Sequence, residues 1–113
     1  MQSNEYEVIL AIVNAGFADD VMSASKAAGA SGGTIINARG TAKKEAEKLF
    51  NIVIQSEKEV VLMIVKKEIS SEVLHNIYKQ VGLKTPGQGI AFTIPVDEVV
   101  GIGAFTQNKE IKK

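Results

Sequence analysis

Val8-Ile-Leu-Ala-Ile-Val13 is apolar at every position and rich in β-branched residues. A short continuous run of this kind reads as a strand buried on both faces, because a half-buried strand would alternate apolar with polar. Asn14-Ala-Gly16 breaks the run. Asp19 and Asp20 then supply carboxylates for a helix N-terminus, where they oppose the helix dipole. Val21, Met22, Ala24, Ser25 and Ala28 form the inward stripe of that helix, and Gly29 suits its C-terminal stop.

Working outward, Thr34-Ile-Ile-Asn-Ala-Arg39 reads as a second strand, stopped by Gly40. Residues 41–49 are polar and rich in Lys and Glu. Residues 50–55 and 60–66 are both strand-like, separated by Ser56-Glu-Lys-Glu59, and one kinked strand or two paired strands fit equally. Ser70 or Ser71 caps a second helix with Val73, Leu74, Ile77, Tyr78 and Val81 on its buried face, and Gly82 ends it. Lys84-Thr-Pro-Gly-Gln-Gly89 leads into the last main strand, residues 90–96. This βαββαβ order predicts an α+β, ferredoxin-like sandwich: an antiparallel sheet with both helices on one face.

That architecture conflicts with the composition of its own strands. Two helices cover one face of a sheet, yet residues 8–13 and 60–65 are apolar throughout. The face left over is an apolar patch of the kind that marks an interface, which predicts a closed homo-oligomer whose sheets pack together. The alternative is that terminal segments fold over the face.

The 113 residues suffice for one core, so residues 1–113 are expected to form a single domain with 106–113 as a polar tail. Thirteen basic and thirteen acidic residues cancel, which disfavours a nucleic-acid partner bound through its phosphates. The absence of cysteine excludes disulfides, thiolate nucleophiles and Cys-based zinc sites. The first residues lack the pattern of a signal peptide, and no apolar run approaches the roughly 20 residues a bilayer requires. A cytoplasmic protein without membrane insertion is expected.

Catalytic chemistry finds little support. His75 is the sole histidine, with Glu72 three residues before it, and an ordinary surface histidine is the simpler reading. Asp19-Asp20 and Asp97-Glu98 would have to converge to act on a substrate or metal; helix capping and a turn after the last strand account for them otherwise. Gly87-Gln-Gly89 is either a tight turn or an anion-binding nest. The charged stretch from Thr41 to Lys48 is either a solvated loop or a surface that touches a partner. The chain is expected not to be an enzyme.

Two stretches carry a family resemblance. Gly89-Ile-Ala-Phe-Thr-Ile-Pro-Val-Asp-Glu-Val-Val-Gly-Ile102 resembles the C-terminal signature of the PII nitrogen-regulatory signal proteins, Gly-Lys-Ile-Phe-(Val)-x-Pro-Val-Glu-x-(Val)-x-x-Ile. Gly33-Thr-Ile-Ile-Asn-Ala-Arg-Gly40 resembles their second strand. The resemblance covers nearly the whole chain. It implies a ferredoxin-like homotrimer with its sheets inward, acting in signal transduction of the kind these proteins perform in nitrogen regulation. It also implies adenine nucleotide binding in clefts between subunits, and a T-loop after the second strand that meets a regulated enzyme or membrane transporter. Carried over by position, the ligand-binding set is Thr34, Gly40, Thr41, Lys43, Lys44, Gly87, Gln88 and Gly89. Lys43 takes the place of a basic residue at the base of the T-loop, and Lys44 that of a glutamine that helps bind 2-oxoglutarate.

Three departures bear on the ligand. Ile90 stands where the family has a phosphate-binding lysine, and Gly101 and Gly103 where it has two arginines. Loss of these cations leaves polyphosphate repulsion uncompensated, which disfavours the family's ATP and 2-oxoglutarate and favours an adenine nucleotide with fewer phosphates. The T-loop is shortened to about residues 41–49 and holds no tyrosine for modification. The expectation is a PII-like trimeric regulator. An interaction module of the same fold without a ligand site, or a CutA-like trimer, is the alternative.

Overall fold

The computed structural model describes residues 5–41, 56–82 and 84–101. Strand β1 (Tyr6–Asn14) is followed by α1 (Ala18–Ala27), β2 (Thr34–Arg39), β3 (Glu57–Lys66), α2 (Lys67–Val81) and β4 (Ile90–Pro95). The strands form one antiparallel sheet in the order β2-β3-β1-β4. The expected ferredoxin-like α+β arrangement is therefore present, with the two apolar runs side by side at the sheet centre.

The pleat sorts the side chains of those runs. Ile9, Ala11 and Val13 from β1, with Val61, Met63 and Val65 from β3, point toward the helices and are buried. Val21 and Ala24 of α1 and Val73, Ile77 and Val81 of α2 close over them. Each helix thus buries a stripe of small or β-branched residues, and hydrophobic burial on this face holds the layers together. Met22, Ala28 and Leu74 pack at the margin of the core.

Helix α1 ends as expected. Gly29 has φ +110, and the N–H groups of Gly29 and Ala30 return to the carbonyls of Lys26 and Ser25 at 3.0 Å each. This is the Schellman pattern, which glycine enters without a Cβ penalty.

Helix α2 ends at Gly82 as expected but differs from expectation at its start and on one face. It starts at Lys67, directly out of β3, so neither Ser70 nor Ser71 is its cap. Ser70 lies in the first turn, buried, and its Oγ donates to Glu7 Oε1 on β1 at 2.8 Å. Tyr78 was expected on the buried face but is 58% exposed. Its neighbours Ile77 and Val81 fill the helix–sheet interface, and Tyr78 falls outside that arc. Strand β4 stops at Pro95, one residue before the expected boundary. The expected strand at 50–55 and the tail 106–113 lie outside the described residues.

The opposite face of the sheet is apolar in three rows across the strands. The register aligns Ile94, Val8 and Ile64; then Phe92, Leu10, Leu62 and Thr34; then Ile90, Ile12, Val60 and Ile36. The central residues of these rows are half-buried by their neighbours, while Ile36, Ile90, Phe92 and Ile94 are exposed. Among the described residues no element packs on this face.

Candidate ligand-binding site

At the end of the open face, one further row replaces apolar residues with polar ones. Asn14 of β1 pairs with Lys58 of β3, which pairs with Ala38 of β2. The loop from Gly82 to Gly89 folds over the Asn14 end. The Asn14 N–H donates to Gly87 O at 2.9 Å, and its Nδ2 donates to Pro86 O at 3.0 Å. Lys58 Nζ donates to Asn14 Oδ1 at 2.7 Å. The Lys58 stem runs past Gly40, where a Cβ would lie 3.1 Å from Lys58 Cε. Gly40 therefore leaves room for the lysine, and its N–H donates to Ser56 O at 2.7 Å, continuing the β2–β3 pairing.

The glycine loop is organised from within. The N–H of Gly87 donates to Thr85 Oγ1 at 3.2 Å, that of Gln88 to Thr85 O at 2.9 Å, and that of Gly89 to Val81 O at 2.6 Å. An anion nest requires such N–H groups to point at the ligand. Here all three are occupied, and the loop has the form of a tight turn with Gln88 at φ +47. Gly89 has its own packing reason: a Cβ would lie 2.5 Å from Val13 Cγ1.

The other residues singled out from the sequence are distributed as follows. Thr41 is exposed just beyond β2, next to Gly40 in the chain. Thr34 is on the open face at the other end of β2, about 20 Å from Gly40 at the usual rise per strand residue. Within one chain it does not meet the glycine loop. Lys43 and Lys44 lie outside the described residues, as do Gly103 and most of the 41–49 segment. Gly101 is exposed. Asp19-Asp20 and Asp97-Glu98 sit at opposite ends of the sheet, so the two acidic pairs do not converge. His75 is exposed, its Nδ1 donating to Ser71 O at 2.8 Å. Among the described residues no group of three or more acidic or histidine side chains is arranged to hold a metal. No described helix is long and apolar enough to cross a membrane.

Sequence reading missed Asn14, Lys58 and Glu59. Asn14 looked like a strand breaker and Lys58 and Glu59 like a polar spacer, yet all three belong to the paired strands. The signal was available in part, since a polar residue directly after a buried run has to find a partner at the sheet end.

The family model described as nitrogen regulatory protein P-II matches residues 6–104. The chain belongs to the P-II family. Among solved structures, the chain is similar to Arabidopsis thaliana PII bound to citrate, with 25% identity and a TM-score of 0.65, covering 88% of this chain and 82% of that one. A functionally unknown protein from Pediococcus pentosaceus matches at 18% identity and a TM-score of 0.62, covering 88% of this chain and 99% of that one, and it shows the shared fold alone. No curated protein matches the chain. As a P-II family member the chain is a regulatory protein, and the resemblance carried by Pro95-Val-Asp-Glu-Val99 and by the β2 segment is thereby correct in its family.

Proposed function

We propose that this P-II protein works as a cytoplasmic homotrimer that binds a small anionic ligand, an adenine nucleotide with few phosphates, in clefts between subunits. The observation that carries the reading is the open apolar face: three rows of Val, Ile, Leu and Phe that end at the Asn14–Lys58 pair and the glycine loop. Packing three such faces together buries the rows and brings the polar ends to the subunit boundaries. Thr34, remote from the glycine loop within one chain, would then meet a neighbour's loop. Residues 41–49 would present the state of the cleft to a regulated enzyme or membrane transporter.

The departures at Ile90, Gly101 and Gly103 set the ligand class. With these cations absent, the cation tied to the glycine loop through Asn14 is Lys58, and one ammonium there suits a mono- or diphosphate better than a triphosphate. The plant relative is bound to citrate, a small carboxylate anion, which supports a small anionic ligand for this chain as well.

Calorimetric titration with ATP, ADP, AMP, cyclic AMP, cyclic di-AMP and 2-oxoglutarate tests the reading, alongside light scattering. The expected result is a trimer that prefers AMP or ADP. Tight, magnesium-dependent ATP binding would overturn the assignment of ligand class, and a stable monomer would overturn the assembly. A second reading, an interaction module without a ligand site, is favoured by one observation: the glycine loop spends its N–H groups on itself. It predicts a trimer that binds none of the six compounds.

A further inference from the structure

Asn14 is 6% exposed and uses both ends of its carboxamide. Nδ2 holds the Pro86 carbonyl, 72 residues away in the chain, and Oδ1 holds the Lys58 ammonium, 44 residues away. Its backbone N–H adds a third tie, to Gly87 O. The loop that closes one side of the proposed cleft and the cation beside Gly40 are therefore joined through one buried side chain. A carboxamide offers a donor and an acceptor and carries no charge. A carboxylate of the same shape would keep the bond to Lys58, but it would neutralise the ammonium and could not donate to Pro86 O.

We infer that Asn14 is a positioning residue that holds the Lys58 ammonium against the glycine loop, so that an anion captured by Lys58 is coupled to the loop through the Asn14 carboxamide. An ammonium has three N–H donors, of which Asn14 takes one, so an anion can join without displacing the amide. This inference rests on the ligand-binding reading above and assigns the route by which ligand charge reaches the loop.

The test uses the full chain and its Asn14→Asp and Lys58→Met variants, with AMP and adenosine as calorimetric probes and NMR exchange rates of the Gly87 and Gln88 amides as a ligand-free readout. Lys58→Met and Asn14→Asp are each expected to weaken AMP binding about tenfold, the scale of one hydrogen bond to a charged group, and to leave adenosine unchanged. Equal weakening of AMP and adenosine would mark a purely structural effect and overturn the inference, as would AMP binding by Asn14→Asp at the wild-type level. Lys58→Met is also expected to speed amide exchange in the loop. If the wild type binds neither probe, the ligand reading fails and the exchange rates decide: unchanged loop protection in Lys58→Met overturns the coupling, and faster exchange sustains it.

Discussion

Glu59 Oε1 accepts the N–H of Ala18 at 2.9 Å and that of Gly16 at 3.0 Å, so a carboxylate on β3 caps the N-terminus of α1. Phe17 occupies the N-cap position and makes no side-chain cap bond, while Asp19 and Asp20 lie in the first turn. The capping expected of the aspartates is done from the sheet, 41 residues further along the chain. Their charges still oppose the helix dipole. Glu59→Ala removes the acceptor for two N–H groups and is expected to cost about 1–2 kcal/mol, read from urea unfolding. Glu59→Gln keeps an Oε1 acceptor and should lose clearly less. Equal losses in the two variants would show that the cap contributes nothing.

Leu62 and Leu10 face each other at the centre of the open sheet face, each half-buried in the single chain. In the proposed trimer they would be at the core of the interface. Leu62→Lys places a charge there, where an unpaired ammonium cannot be desolvated cheaply. The expected outcome is a monomer by sedimentation at micromolar concentration, with the helical circular dichroism kept because the helix-side core is untouched. Retention of the wild-type oligomer would show that another surface holds the subunits together.

The two glycines of the 82–89 loop should differ in their tolerance of a methyl group. At Gly89 a Cβ would lie 2.5 Å from Val13 Cγ1 and 2.7 Å from the Val81 carbonyl oxygen, and the carbonyl cannot swing aside without breaking the loop. At Gly87 the nearest atoms are 3.0 Å and 3.3 Å away and belong to the side chains of Val81 and Phe17. Gly89→Ala is expected to cost about 1–3 kcal/mol, the range for overpacking, and Gly87→Ala distinctly less. Thermal unfolding of the two variants side by side checks the order.

The fold was legible because its strongest signals are local and periodic. Residues 8–13 and 34–39 could be read as strands, and Gly29 and Gly82 as helix ends, without knowing what lay next to them. The apolar surplus of the central strands even pointed to the open face, since two helices cannot cover both sides of a sheet. The site was less legible because its contacts are long-range. Nothing near Asn14 in the chain announces Pro86 or Lys58 as partners, and Ser56-Glu-Lys-Glu59 reads as a spacer until β3 pairs with β1 and turns Lys58 and Glu59 to opposite faces. Ser70 shows the same limit: its position suits a cap, and the Glu7 carboxylate that accepts its hydroxyl hydrogen bond lies 63 residues away in the chain.

Ile90 tests the charge argument directly. It is 53% exposed and ends the row Ile36–Val60–Ile12–Ile90, next to the row that holds Lys58 and Asn14. Residues two apart on a strand share a face, so Lys58 and Val60 point the same way, as do Asn14 and Ile12. Ile90→Lys therefore sets a second ammonium beside the first on the same side of the sheet. Its stem can lie over Ile12 while its head reaches solvent, which limits the cost in stability. If the missing cation is what restricts the ligand to few phosphates, the variant gains affinity for ADP and ATP in proportion to their charge, about tenfold or more for ATP and least for AMP. The gain should shrink as salt is raised, because partly exposed charges are screened. Calorimetry at two ionic strengths measures both effects. An Ile90→Lys protein with unchanged ATP affinity at low salt would show that the cleft lies elsewhere on the sheet or excludes the polyphosphate by shape.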